Sequence, residues 1–163
     1  RPEVKKLFGD LEILSNREMD ARMEIEFENY TMRVQIEARV AGDLAQNHII
    51  PTAFTYQNRL INNVKGLREI LPKAEADKAC ATQMKLIREI SHHAEQIKTL
   101  VDEMIEERKK ANKIEDMRSK AFAYCDKVNP YLPRIKYHSD KLELLIDDEL
   151  WPMPKLRELL FTK

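Results

Sequence analysis

An all-α fold is predicted for this chain: an up-and-down bundle of four to five helices, some very long, ending in a short C-terminal helical tail. Three observations carry that prediction. Apolar residues recur at steps of three and four over most of the length. No stretch alternates convincingly with period two, so no sheet is expected. Only 3 of the 163 residues are glycine, and the 7 prolines cluster near segment ends, apart from Pro51.

Residues 1–14 carry Val4, Leu7, Phe8, Leu11 and Leu14 at helical spacing despite Gly9, and read as a connecting segment. Ser15 or Asn16 can then cap a new start, with Glu18 in its first turn. A long arm follows over residues 15–71. One stripe runs Met19, Met23, Phe27, Tyr30, Val34, Ala38, Ala41, Ala45, His48, and a second runs Ile25, Met32, Ile36, Val40 on another face. A helix apolar on two faces is expected to meet neighbours on both, which makes this arm the expected centre of the assembly. Its first part, residues 17–49, would span about 50 Å. Pro51 lacks a backbone donor and disfavours helix at Ile50, so a kink or short break is expected there. The stripe resumes at once with Ala53, Phe54, Gln57, Leu60, Ile61, Val64 and Leu67, and ends near Pro72.

Lys73–Asp77 reads as a turn within the approach to a second arm, residues 74–127. That arm shows Met84, Ile87, Ile90, Ala94, Ile97, Val101 and Met104, continued by Met117, Ala121, Phe122 and Tyr124. Asn129-Pro130 breaks it. A last bundle helix over residues 130–147 carries Tyr131, Ile135, His138, Leu142, Leu145 and Ile146. Residues 151–163 form the tail: Trp151-Pro152-Met153-Pro154 is locally extended, and Leu156, Leu159, Leu160 and Phe161 make a short apolar end. The whole chain reads as one domain.

Composition narrows the function classes. Charged residues make up 34% of the chain, but acids and bases balance at 28 each, without the basic excess of a nucleic-acid module. A hydrophobic share of 43% argues against disorder. No run of about 18 apolar residues would span a membrane. Cys80 and Cys125 lie far apart and read as reduced thiols, which suggests a cytoplasmic protein. The chain begins Arg1-Pro2, as an excised piece of something longer would.

Candidate chemistry is thin. His-Glu-x-x-His is absent. Glu89 and His92 make a single Glu-x-x-His, with His93 adjacent, where a di-iron bundle needs two such pairs and two more glutamates. His48 and His138 lie on apolar stripes and read as core histidines. Asp147-Asp148-Glu149 reads as a solvated helix end, and Cys125 has no obvious His or Asp partner. Gly9, Gly42 and Gly66 stand alone, so no loop cradles phosphate. Trp151, the only tryptophan, either docks into a groove elsewhere or caps this bundle's own core. No catalytic, cofactor-binding or metal-binding residue is assigned. The residues expected to make contacts are Trp151, Pro152, Pro154 and Phe161, with Phe54 and Tyr56 after Pro51.

The segments EMDARMEIEFENY, QIEARVAGDLAQNHIIPTAFTYQNRL, AFAYCDKV and KLELLIDDELWPMPKLRELLF resemble the C-terminal part of type III glutamine synthetase. The most specific pieces are Asn47–Gln57 and Asp147–Lys155; helix patterning alone would not dictate their prolines and aromatics. The resemblance implies a bacterial parent enzyme, dependent on ATP and Mg²⁺, that joins ammonia to glutamate. It also implies partners: the catalytic part of the same chain and neighbouring subunits of a dodecamer built from two stacked hexamers. None of that family's metal, ATP or glutamate motifs occurs here, so this piece alone is expected to be inactive, to need no cofactor and to support subunit packing or oligomer stability. Two rival readings remain open on residues alone: a stand-alone helical interaction module, and a metal-dependent helical enzyme resting on Glu89 and His92.

Overall fold

The computed structural model describes residues 2–160. Helix α1 (Pro2–Asp10) leads through a turn to α2 (Asn16–Leu44). Ser15 starts α2: its Oγ accepts the Glu18 N–H at 3.3 Å, while its own N–H donates to the Glu18 carboxylate at 2.8 Å. This reciprocal box satisfies two backbone donors that a helix start leaves open. A Lys5–Asp20 ion pair ties α1 to α2.

No break occurs at Pro51. The backbone stays helical from α2 through a π-helical turn, Ala45–Ile49, into α3 (Ile50–Ile70). The Ile50 N–H reaches back five residues to the Ala45 carbonyl. This widened turn makes room where the proline ring would otherwise crowd the preceding turn, so Pro51 sits at the start of α3 without ending the rod. Leu71 is extended ahead of Pro72, as a residue preceding proline prefers.

The turn expected at Lys73–Asp77 is a short helix, α4 (Lys73–Ala79), which buries Ala76. Helix α5 (Ala81–Asn112) then runs back along the α2–α3 rod: Gln57 Nε2 donates to the Ile87 carbonyl at 2.9 Å, and further along Gly42 faces Val101 and Met104. A Cβ on Gly42 would lie 3.5 Å from Val101, so the two helices approach closely there.

The second arm is not continuous to Lys127. It ends at Asn112, and Asp116 caps a new helix, α6 (Met117–Ala123), by accepting the Ser119 N–H at 2.8 Å. A free carboxylate at that position satisfies a donor that a continuous helix would satisfy itself, so it favours a fresh start. A second π-helical turn, Tyr124–Val128, follows. Tyr124 is fully buried, and its hydroxyl donates to Asn112 Oδ1 at 2.6 Å, tying the two sides of the break together. Helix α7 (Tyr131–Leu145) packs on α5 antiparallel to it. Pro133 falls in its first turn, where the missing N–H costs no intrahelical bond. The tail ends in a single turn, α8 (Leu156–Leu159).

The α2–α3 rod and α5 share the centre of the bundle. Helix α5 buries Ile90, Ala94, Ile97, Leu100, Val101, Met104 and Ala111, and the rod buries Thr31, Val34, Ala38, Gly42, Ala45, Ile49, Ala53 and Val64. The two differ in side-chain size. Small residues on the rod (Ala38, Ala45, Ala53) let it come close, and the larger residues of α5 fill the shared core with Tyr124, Val128, Ile135, Leu142 and Trp151. The described residues contain no strand, and none of their helices is long and apolar enough to cross a membrane.

Candidate functional site

Trp151 resolves in favour of the bundle's own core. It is 8% exposed and packs in the main cluster, with Leu150 and Met153 against the same core. The turn that brings it there begins at Asp147, whose carbonyl accepts the N–H groups of Leu150 and Trp151 at 3.0 and 3.1 Å. Lys155 locks the tail from the other side. Its largely buried ammonium pairs with Asp148 and donates to the Glu143 carbonyl at 3.2 Å. Asp147 lies 3.9 Å from Arg59 of α3. The acidic run therefore holds the tail rather than simply ending a helix. The Trp151 indole Nε1 has no hydrogen-bond partner among the described residues.

The other expected contact residues are dispersed. Pro152, Pro154 and Phe54 are exposed, Tyr56 is half-buried against the core, and Phe161 lies outside the described residues. They do not form one surface with Trp151, because burial of the indole removes the element that would have joined them.

The histidines also differ from expectation. His48 is exposed on the first π-helical turn, since the extra residue per turn rotates the apolar stripe past it. His138 is half-buried at the α5–α7 contact, and its Nδ1 lies 2.9 Å from Nδ1 of His93. The His92 ring is 5.2 Å from that of His93, centroid to centroid. Burial, followed by the neighbouring cationic groups, lowers the pKa of both His93 and His138 below the usual imidazole range. Glu89 is the carboxylate that acts on His93 in the opposite sense. Among the described residues no three His, Cys, Asp or Glu side chains converge as metal ligands. Cys80 is buried and Cys125 exposed, both as free thiols. A hydrogen bond with Cys125 pushes the Tyr30 hydroxyl up to about 12.

The most conspicuous outward feature is apolar. Ile25, Met32, Ile36 and Val40 of α2 are each about half exposed, at 54%, 48%, 55% and 51%. This second stripe was expected to meet a neighbour, but no helix among the described residues covers it. Ile36 and Val40 instead border an open groove of about 580 Å³ between α2 and α7. Leu132, Pro133 and Ile135 form its far wall, and Met153 of the tail closes one side. Of the charged residues lining the groove, Lys136 and Asp140 pair with each other, and Glu37 is exposed on the α2 side. The spacing of the α2 stripe was legible in the sequence, whereas the groove depends on where α7 and the tail come to rest.

Fold and surface together define an all-α domain with an uncovered apolar face on α2. A family model described as glutamine synthetase C-terminal domain matches residues 1–68. A glutamine synthetase of Bacteroides fragilis (strain YCH46) is 53% identical over 151 residues, which is 93% of this chain and 21% of that protein. A type-3 glutamine synthetase of Dictyostelium discoideum is 28% identical over 161 residues, 97% of this chain and 22% of that protein. A glutamine synthetase of Butyrivibrio fibrisolvens is 21% identical over 156 residues, 96% of this chain and 22% of that protein. Residues 1–68 therefore match the glutamine synthetase C-terminal domain, and nearly the whole chain is similar to part of known glutamine synthetases. It spans about a fifth of the length of the curated relatives it matches.

Proposed function

We propose that this chain is the noncatalytic C-terminal domain of a type III glutamine synthetase, and that it supports subunit packing or oligomer stability. The parent enzyme would join ammonia to glutamate at the expense of ATP. The observation that carries this reading is the 53% identity to a glutamine synthetase across 93% of the chain, within a region amounting to 21% of that relative. The type III assignment is supported by the Dictyostelium relative, whose similarity extends over 97% of the chain.

No ATP or Mg²⁺ site is proposed in this domain. The glycines are isolated, and Asp147 and Asp148 are engaged by Arg59 and Lys155. Mg²⁺ is normally held by carboxylates together with substrate phosphates, and phosphates by a run of free backbone N–H groups. Catalysis would therefore rest on the rest of the polypeptide, and the part of the domain in it would be mechanical. The exposed apolar face of α2 suits that role, because such faces mark contact surfaces.

The test is phosphate release that depends on ATP, Mg²⁺, glutamate and ammonium, measured on this chain and on its full-length parent side by side. An active parent and an inert 163-residue chain are expected. Turnover by the chain alone would refute a noncatalytic role. An inert but properly assembled parent would favour a helical interaction module instead.

A further inference from the structure

We propose that His93 of α5 and His138 of α7 form a two-nitrogen chelate for a divalent transition-metal ion, which clamps the two helices together. Both ligands belong to this chain, so the site is independent of any catalytic part elsewhere in a longer polypeptide.

The two residues are 45 positions apart, yet their Nδ1 atoms lie 2.9 Å from each other. Packing fixes that approach. Ile90 and Ile97 stand three residues before His93 and four after it, Ile135 and Leu142 flank His138 in the same way, and all four are buried in the core. Each ring therefore stands at the edge of a packed seam and on a long helix, the kind of support that holds a ligand in place. In the neutral pair one Nδ1–H donates to the other Nδ1. Moving that proton through solvent to Nε2 of its own ring frees both Nδ1 lone pairs for an ion, with no net gain or loss of protons. The rings are half-buried, so an ion and water can reach them.

Distance then selects the metal. Imidazole nitrogens sit about 2.0–2.1 Å from an ion of this kind. Two of them 2.9 Å apart subtend about 90° at it, whereas a tetrahedral angle would need about 3.3 Å between them. A right angle is the cis arrangement of a square-planar or tetragonal site, which suits Cu(II) and Ni(II) better than structural zinc. The ion would lie about 1.4 Å off the line between the nitrogens, and a turn about the broad χ2 torsion of each histidine aims the lone pairs at it. Among the described residues no third His, Cys, Asp or Glu converges, so water completes the coordination. The surroundings disfavour the common hard cations. Mg²⁺ and Ca²⁺ take oxygen ligands, and the charges that bear on the pair are Arg134 and Lys141 of α7 against Glu89 of α5.

Nickel is the suitable probe, because Cu²⁺ would also oxidise the exposed thiol of Cys125. The untagged chain, stripped of metal with EDTA and dialysed, would be titrated with NiCl₂ by isothermal calorimetry. One Ni²⁺ per chain is expected. Loss of a mere outer partner of a metal ligand costs about 10–100-fold in affinity, so His93→Gln and His138→Gln should each weaken binding by more than about tenfold. His48→Gln and Cys125→Ser, both exposed and on the two π-helical turns, should leave it unchanged. At about a hundred times its dissociation constant, Ni²⁺ should raise the Tm of the wild-type chain by about 5–10 °C and leave that of the His93→Gln/His138→Gln pair unmoved. MgCl₂ at the same concentration should shift neither. The absence of binding and of a Tm rise at about 1 mM Ni²⁺ would overturn the proposal. So would undiminished binding in either single variant, or an equal rise with Mg²⁺. The two single variants alter different helices, so if one of them fails to fold the other still decides.

Discussion

Replacing Trp151 with alanine tests how the tail is held. The indole is 8% exposed and sits in the main core beside side chains of α5, α7 and the rod. Truncating a buried tryptophan to alanine typically costs about 3–5 kcal/mol through lost transfer energy and the cavity left behind. The tail follows the last long helix and can settle inward, so the lower part of that range, about 3 kcal/mol, is expected. For a domain of 150–250 residues each kcal/mol moves the midpoint by about 2–4 °C, so Tm should fall by about 6–12 °C. Circular dichroism at 222 nm is the suitable assay, since the substitution removes the only tryptophan and its fluorescence. Trp151→Phe separates ring packing from the indole N–H. The native Nε1 has no partner among the described residues, and an orphaned buried donor costs about 1–3 kcal/mol. Phenylalanine loses ring volume but removes that donor, so its stability should stay within about 1 kcal/mol of wild type. A Trp151→Ala shift below about 1 °C would show that the tail is not part of the core in solution. A Phe variant as damaged as the Ala variant would show that the indole N–H does have a partner.

Two further outcomes follow from local structure. Gly66→Ala should stabilise the chain by about 0.5–1 kcal/mol, because an interior helical glycine costs that much relative to alanine. A Cβ there meets nothing within 4 Å, and an unchanged urea midpoint would contradict a helical Gly66. Stability should also fall as pH drops below about 6.5. His93 and His138 both have pKa values lowered by burial first and by neighbouring cationic groups second. The unfolded chain then takes up protons first, so the contribution of this pair is fully present above the unfolded value and is lost as pH falls through the lowered ones. The groups that bear on the pair are His92 and Glu89 from α5, and Arg134 and Lys141 from α7. His93→Gln should flatten the dependence of the urea midpoint between pH 5 and 8, and an unaltered slope would show that the pair does not control it.

Much of the architecture was legible because it is local. Ser15 and Glu18 announce a capping box, Pro72 and Pro130 mark real boundaries, and the Val34–Ala38–Ala45 stripe is buried as its spacing requires. Pro51 makes no break because its effect depends on the helix around it: a π-helical turn accommodates it, and composition does not reveal such a turn. Asp116 was missed because an acidic residue within an apolar pattern reads as surface until its capping bond to Ser119 is seen. The contact face was half legible. The strip from Ile25 to Val40 stands out by periodicity, but whether a second apolar face is covered depends on how many helices the chain supplies.

The sequence by itself determined the helical class, the main helix starts and the family resemblance, because capping, periodicity and distinctive wording such as Trp-Pro-Met-Pro are properties of short segments. Only the tertiary structure decided that α5 shares the centre with the rod, that Trp151 turns inward, that His93 meets His138, and that one face of α2 stays bare. Each of these depends on residues distant in sequence competing for one finite core. A helix pattern says which side chains avoid water, and packing decides which of them find a partner within the chain.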